Sequence, residues 1–318
     1  MHISGDMPKI ELHFHFRGGI PMRAYRRLAK EYYPDMPRAE FLDIFDVGNF
    51  GDFKRAYDFL GGLVRTQDDL KYAAGEAAKC ARAENVVYAE IWLTPFSIPG
   101  VDPRRTLEIT REAFKEAGVA VSFIGPFGRH DTLREAEEKY EFYLAARECG
   151  IRGVGLMGDE AGHPFFAFAG IFERARRDGF KISVHAGEYR DERNIAAAVR
   201  ELGADRIGHG NNIRDPRLVD EIVRRGVHIE MCPLSNMKLN SEINPANYDL
   251  PRYIEAGISL SINSDDPGIL GRTLADNYRF VSRAYGFDER RFREMQREAV
   301  RASFADEGTK AALMSKIG

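Results

Sequence analysis

The chain of 318 residues is 44% hydrophobic and 30% charged, a composition typical of a globular protein with a sizeable core. Its formal net charge of -3 gives no basic excess, so the sequence offers no support for nucleic-acid or membrane-surface binding. The N-terminus shows no secretory pattern, and no CxxC pair occurs. We therefore expect a cytoplasmic protein with three free cysteines, which are Cys80, Cys149 and Cys232.

Short apolar runs alternate with helix-period segments along the whole chain. This alternation predicts a parallel sheet covered by helices, and eight such strands fit a single (β/α)8 TIM barrel spanning residues 1–318. A doubly wound open sheet is the alternative, although its usual GxGxxG turn is absent. The predicted strands are Ile10–His15, Val86–Leu93, Val119–Gly125, Ile151–Leu156, Phe180–His185, Asp205–His209, Val227–Met231 and Ile258–Asn263.

About seventy residues separate the first two predicted strands. They contain predicted helices at Arg23–Tyr32 and Phe50–Leu63. An insertion after the first strand lies at the C-terminal end of the barrel, where active sites occur, so it acts either as a lid or as a decoration. Further helices are predicted at Arg104–Ala117, Leu133–Cys149 and Pro216–Arg225, and the chain is again helical from about Thr273.

Polar side chains collect where the predicted strands end. By strand alternation, the first two histidines of the set share one face, about 6–7 Å apart along the strand. Because all strand C-termini of a barrel face the same mouth, we expect the whole set to converge there. The set consists of His13 and His15 on the first strand, His185 on the fifth, His209 on the sixth, and Asp265 and Asp266 after the eighth.

Each of these features also has an ordinary structural explanation. The glutamate of SVHAGE (Ser183–Glu188) could simply begin a helix, His209 could occupy a tight turn between glycines, and Asp265 and Asp266 could be turn residues. Together, imidazoles and a carboxylate with an open position for water favour one catalytic zinc per chain, although iron or cobalt accepts the same ligands. Cys232-Pro233 lacks the second cysteine of the H-x-E and PCxxC zinc deaminases.

The chain resembles the adenosine deaminase family of the amidohydrolase superfamily. The matching stretches follow the family order and cover most of the chain. The resemblance implies zinc-dependent hydrolytic deamination of the 6-amino group of an adenine nucleoside, with release of ammonia. The stretches are PKIELHFHFRG (8–18), GLMGDE (155–160), SVHAGE (183–188), RIGHG (206–210), EMCPLSN (230–236) and SINSDDP (261–267).

The resemblance also implies a role for each matched residue. Water attack at C6 breaks the aromaticity of the purine, so the ring nitrogen N1 must take a proton, and Glu188 would shuttle it. His209 would orient the attacking water and stabilise the developing charge. A bound zinc would supply hydroxide near neutral pH. The metal ligands would be His13, His15, His185 and Asp265, and Gly158 and Asp266 would hydrogen-bond the purine ring nitrogens.

One position departs from the family pattern. Nucleoside enzymes of the family usually have HxHLDG, whose aspartate receives the ribose 5′-hydroxyl, whereas this chain has HFHFRG with Arg17. If the strand continues that far, Arg17 shares the face of His13 and His15 and suits a carboxylate or phosphate. Otherwise it turns to solvent or pairs with an acid of the insertion. The substrate is therefore open between adenosine, free adenine, AMP and a 5′-acidic nucleoside such as aminodeoxyfutalosine.

Two other functions compete with deamination. Binuclear hydrolases of the superfamily commonly have a bridging lysine after the fourth strand, but this strand ends Leu156-Met157-Gly158, which favours one metal. A non-enzymatic nucleoside-binding protein is disfavoured, because all four implied ligands and Glu188 are present. We expect a small adenine-containing substrate as the partner, and neither nucleic acid nor membrane. The sequence leaves the oligomeric state open.

Overall fold

The computed structural model describes residues 7–160 and 168–318. In these residues eight strands pair in chain order, all of them parallel. This order confirms the (β/α)8 barrel, because a doubly wound sheet reverses its strand order at a switch point. The strands are β1 (Lys9–His15), β2 (Val86–Trp92), β3 (Ala120–Gly128), β4 (Ile151–Met157), β5 (Lys181–Ala186), β6 (Arg206–His209), β7 (His228–Met231) and β8 (Leu260–Ile262).

Helices cover the outside of the strands. The helix predicted at Leu133–Cys149 ends earlier, at Ala145. A 3-10 turn at Arg147–Cys149 and a left-handed Gly150 (φ 94°) follow it. The helices are α1 (Phe16–Gly19), α2 (Met22–Tyr32), α3 (Arg38–Asp43), α4 (Phe50–Gly61), α5 (Gln67–Ala83), α6 (Pro103–Glu116), α7 (Leu133–Ala145), α8 (Ala169–Arg177), α9 (Glu192–Ala197), α10 (Pro216–Arg225), α11 (Pro233–Leu239), α12 (Leu250–Glu255), α13 (Pro267–Leu270), α14 (Leu274–Tyr285), α15 (Glu289–Ala302) and α16 (Glu307–Ile317).

The core lies inside the barrel and between the barrel and its helices. Every residue of β1 and β2 is buried, as expected for strands covered on both faces. On the outer face, for example, the ring of Phe14 packs edge-on against Phe114 of α6, with centroids 6.3 Å apart. None of the described helices combines the length and the hydropathy that a membrane span needs.

The predicted helical insertion between β1 and β2 consists of α2 to α5, which follow the short α1. Two of its helices begin with side-chain caps. Asn49 accepts the amide of Asp52 at the start of α4, and Thr66 and Asp69 form a reciprocal capping box at the start of α5. The Asn49 cap defines where α4 begins, and α4 is the helix that borders the mouth of the barrel.

The barrel closes at a seam between β1 and the residues that follow β8. A parallel bridge joins Phe14 to Asp265, and the amide of Asp265 donates to the carbonyl of His13 at 3.0 Å. Side chains strengthen the seam, since Asn263 Oδ1 accepts the amide of Leu12 at 3.0 Å. The seam therefore places His13 and Asp265 next to each other, although they lie near opposite ends of the chain.

Candidate active site

Three histidines and one aspartate meet at the mouth of the barrel. The Nε2 atoms of His13 and His15 lie 3.5 and 3.4 Å from Oδ1 of Asp265. The ring centroid of His185 is 4.5 Å from that of His13 and 5.0 Å from that of His15. All four side chains are buried. The structure thus brings together the four residues for which the sequence implied metal binding.

The donor atoms of this cluster suit a metal ion. The Nε2 atoms of His13, His15 and His185 are buried without a hydrogen-bond partner among the described residues, an arrangement that is costly unless another group satisfies them. The ligand atoms of His13, His15 and Asp265 lie within 4.8 Å of one another. Burial lowers the pKa of His15 to about 3 and also lowers that of His185, so both rings are in the neutral form that binds metals.

Hydrogen bonds from other strands fix the orientation of these ligands. Nδ1 of His13 lies 2.5 Å from Oε2 of Glu230, which leaves its Nε2 directed at the cluster. The carboxylate of Glu230 is in turn paired with Arg206, and Ser235 donates to Oδ2 of Asp265 at 2.6 Å. Sequence analysis gave these supporting residues no role. A signal existed at Glu230, a buried acid inside the otherwise apolar part of β7.

His209 lies beside the cluster in a left-handed backbone conformation (φ 68°). Asn236 Nδ2 donates to its Nδ1 at 2.9 Å, and Tyr248 donates to Oδ1 of Asn236 at 3.2 Å. These bonds direct Nε2 of His209 to within 3.8 Å of Oε2 of Glu188. Burial lowers the pKa of His209 to about 4, so the ring is neutral near pH 7. His209 and Glu188 therefore both border the space next to the predicted ligands.

Two further acids, Glu188 and Asp266, are buried at the same place. Burial, followed by the charge of Asp265, raises the pKa of both carboxyl groups well above the ordinary range. Oδ1 of Asp266 has no hydrogen-bond partner among the described residues. The Asp266 side chain packs against Gly18, where an added Cβ would lie 1.6 Å from Oδ1 of Asp266. A buried acid with a free oxygen is suited to hydrogen-bonding a ligand.

A cleft of about 310 Å³ opens above the cluster. Its inner end consists of His15, His185, Glu188, His209, Asp265 and Asp266, with Met157 and Gly158 beside them. Gly158 has φ 106°, a conformation that other residues rarely adopt. The outer wall of the cleft consists of Phe50, Phe53 and Tyr57 of α4, whose successive ring centroids are 6.0 and 5.6 Å apart. Helix α4 thus lines the cleft.

Arg17 does not continue the face of His13 and His15. The strand ends at His15 and the chain turns into α1, so the alternation on which that expectation depended stops there. The guanidinium lies over the ring of Tyr57 at 4.4 Å from its centroid, and Nη1 donates to the carbonyl of Tyr57 at 3.3 Å. Arg17 is not among the described residues that line the cleft. A substrate contact by Arg17 stays a prediction.

The barrel and its histidine–aspartate cluster define the class as a metal-dependent amidohydrolase. A model of the adenosine deaminase family matches residues 8–318, and the chain belongs to this family. It is therefore a hydrolytic deaminase.

Several known proteins are similar to this chain over nearly its whole length. An adenine deaminase of Rhodospirillum rubrum is 32% identical over 98% of this chain and 96% of its own. An aminodeoxyfutalosine deaminase of Streptomyces avermitilis is 31% identical over 98% of this chain and 90% of its own. The crystal structure of an adenine deaminase from Arthrobacter aurescens superposes with a TM-score of 0.88, at 26% identity, and covers 98% of both chains. These similarities support the deamination of adenine-type compounds.

Proposed function

We propose that the enzyme removes the 6-amino group of an adenine nucleoside by zinc-dependent hydrolysis and releases ammonia. One observation favours a nucleoside over the free base. The cleft continues from the inner end to the outer wall on α4, with a volume of about 310 Å³. A purine ring would occupy the inner end, and a substituent on N9 would extend along Phe50, Phe53 and Tyr57.

The proposed reaction uses the residues of the inner end. His13, His15, His185 and Asp265 would hold one zinc ion, and iron or cobalt would fit the same donors. When bound, zinc supplies Lewis acidity that lowers the pKa of water, so that hydroxide is available near neutral pH.

Glu188 is proposed to carry the proton. Its buried, protonated carboxyl gives a proton to N1 as the oxygen of water bonds to C6, which offsets the charge that the ring gains. The carboxylate then takes the proton that remains on the attacking hydroxide oxygen and passes it to the amino group, which leaves as ammonia. Glu188 regains its own proton from the next water as that water becomes hydroxide. His209 would orient the attacking oxygen and stabilise the charge that develops on it.

The same end would recognise the purine. Asp266, neutral when buried beside Asp265, would donate a hydrogen bond to N7 through its unpaired oxygen. The backbone amide of Gly158 would donate to a second ring nitrogen. These hydrogen bonds would recognise the purine ring but not the N9 substituent. The substituent must therefore be recognised elsewhere in the cleft.

The outer wall is proposed to recognise the 5′ part of the substrate. Its three aromatic rings suit a 5′ extension that carries a ring, and aminodeoxyfutalosine is such a nucleoside. Lys54, which also lines the cleft and pairs with Asp58 at 2.6 Å, supplies a cation near an acidic extension. Helix α4 would act as the lid of a single catalytic domain. Free adenine is the alternative, favoured by the similarity to adenine deaminases.

A substrate panel tests this proposal. The zinc-loaded protein is given adenosine, adenine, AMP and aminodeoxyfutalosine, and ammonia release is followed to obtain kcat/KM. We expect the nucleoside with the extended 5′ group to exceed adenine by at least about tenfold. A preference for adenine would show that the substrate assignment is wrong. Absence of ammonia from all four compounds would show that the proposed reaction is wrong.

A further inference from the structure

The stretch Gly155–Glu160 ends in an acid for which the proposed reaction has no use. Glu160 follows β4 and is only 6% exposed. Within the described residues, its hydrogen bonds go to Glu188 and Asn194 and not to the histidine–aspartate cluster. A buried carboxylate is costly to the fold unless hydrogen bonds satisfy it, so its partners indicate what it does.

The carboxylate of Glu160 binds the backbone of the loop that carries Glu188. Oε1 accepts the amide of Glu188 at 3.1 Å, and the nearby amides of Glu188 and Gly187 both lower the pKa of this carboxyl group. Oε2 accepts Nδ2 of Asn194 in α9 at 3.3 Å. Glu160 therefore fixes the peptide groups immediately before the proposed proton carrier.

The same loop is held from its other side by the end of β3. Nη2 of Arg129 donates to the carbonyl of His185 at 2.7 Å, and the Arg129 side chain is buried. The charges of Arg129 and Glu160 attract each other. Residues 185–188 are thus held between a cation that binds the carbonyl of His185 and an acid that binds the amide of Glu188.

The loop needs such support because its own backbone is irregular. Gly187 has φ 77° and Arg190 has φ 65°, and the next helix begins only at Glu192. Beyond Ala186, the amides of Gly187 and Glu188 no longer belong to the strand ladder. Glu160 supplies the acceptor that the amide of Glu188 would otherwise lack.

We propose that Glu160, with Arg129, is a positioning residue that sets the place of the Glu188 carboxyl for proton transfer. This inference rests on the proposed function. A rotation of the peptide before Glu188 by a few tens of degrees would move its carboxyl by about 1 Å or more, and displacements of this size reduce proton-transfer catalysis strongly.

The test uses Glu160→Gln in the zinc-loaded protein, with adenosine and aminodeoxyfutalosine as substrates. The glutamine keeps the shape of the side chain but removes its charge and one acceptor oxygen, so the amide of Glu188 and Nδ2 of Asn194 compete for the oxygen that remains. We expect kcat to fall about 10- to 100-fold with KM changed less than about threefold, and zinc content unchanged. The matched control is Glu192→Gln, because the carboxylate of Glu192 also accepts backbone amides, those of Arg214 and Asp215, but lies outside the loop.

A double variant separates positioning from a general structural role. If Glu160 acts through Glu188, then Glu160→Gln combined with Glu188→Gln loses no more kcat than Glu188→Gln alone, within about threefold. Losses that multiply overturn the inference, as does an equal loss of kcat in Glu192→Gln. If Glu160→Gln does not fold, Asn194→Ala removes the half-buried hydrogen bond to Oε2 of Glu160. An unchanged kcat in that variant also overturns the inference.

Amide hydrogen exchange gives a readout that needs no substrate. We expect the amides of Gly187 and Glu188 to exchange faster in Glu160→Gln than in the wild type, and to be unchanged in Glu192→Gln. If the wild type deaminates none of the compounds, the proposed function fails. Amide exchange alone then tests whether Glu160 holds the loop that carries Glu188. If the wild type is active and exchange at the two amides does not change, the inference fails while the function stands.

Discussion

The two ends of the cleft differ in origin and in exposure. The inner end comes from strand ends on opposite sides of the barrel, and His185 on β5 and Asp265 after β8 are 5% and 3% exposed. The outer wall comes from one inserted helix, α4, where Phe53 and Tyr57 are only partly buried. The inner end is thus fixed by the barrel and supplies the chemistry, whereas the outer wall can change with the insertion and is suited to setting the substrate.

Metal removal should have the largest effect, because it acts on the inner end as a whole. Dialysis against a chelator is expected to reduce ammonia release to background, and one equivalent of zinc should restore it. The apoprotein should also melt at a lower temperature, since an ion bound only by the folded state stabilises it. The control is the same dialysis with zinc-saturated chelator. Full activity in protein shown to be metal-free would contradict the assignment of the cluster.

Glu188→Gln should have the next largest effect. Removal of the proton carrier is expected to lower kcat by about 10² to 10⁴, while the zinc content of the protein stays at one ion per chain. Steady-state kinetics and metal analysis on the same sample measure both. A decrease smaller than tenfold would assign the proton transfer to another group.

Phe53→Ala should have the smallest effect and should depend on the substrate. Loss of the ring from the outer wall is expected to raise KM for a nucleoside with an extended 5′ group about tenfold, and to leave KM for adenine within about twofold. Phe59→Ala is the matched control, because Phe59 is on the same helix but contacts Tyr33 rather than the cleft. Equal changes on both substrates would contradict the division between the two ends.

The sequence predicted the barrel and the inner end because both depend on local patterns. Period-2 alternation placed His13 and His15 on one face, and barrel geometry brought His185, His209 and Asp265 to the same mouth. The same alternation failed two residues later. At Arg17 the chain has already turned into α1, and no local pattern marks that turn.

The supporting residues could not be predicted, because their partners are distant in the sequence. Glu230 lies 217 residues from His13 in the sequence, and Glu160 lies 28 from Glu188. A buried acid in a sequence indicates that some partner exists, but only the register of the strands shows which one. Glu160 was visible in a matched stretch, yet its role became clear only from the backbone that it binds.

The seam of the barrel has a consequence for folding. It joins Glu11 to Ser264 and Leu12 to Asn263, pairs that are 253 and 251 residues apart in the sequence. Closing so long a loop costs conformational entropy and makes contacts of this kind late and slow to form. An ion held by His13 and Asp265 would bind across that seam, so its binding energy would favour only chains that have completed the barrel.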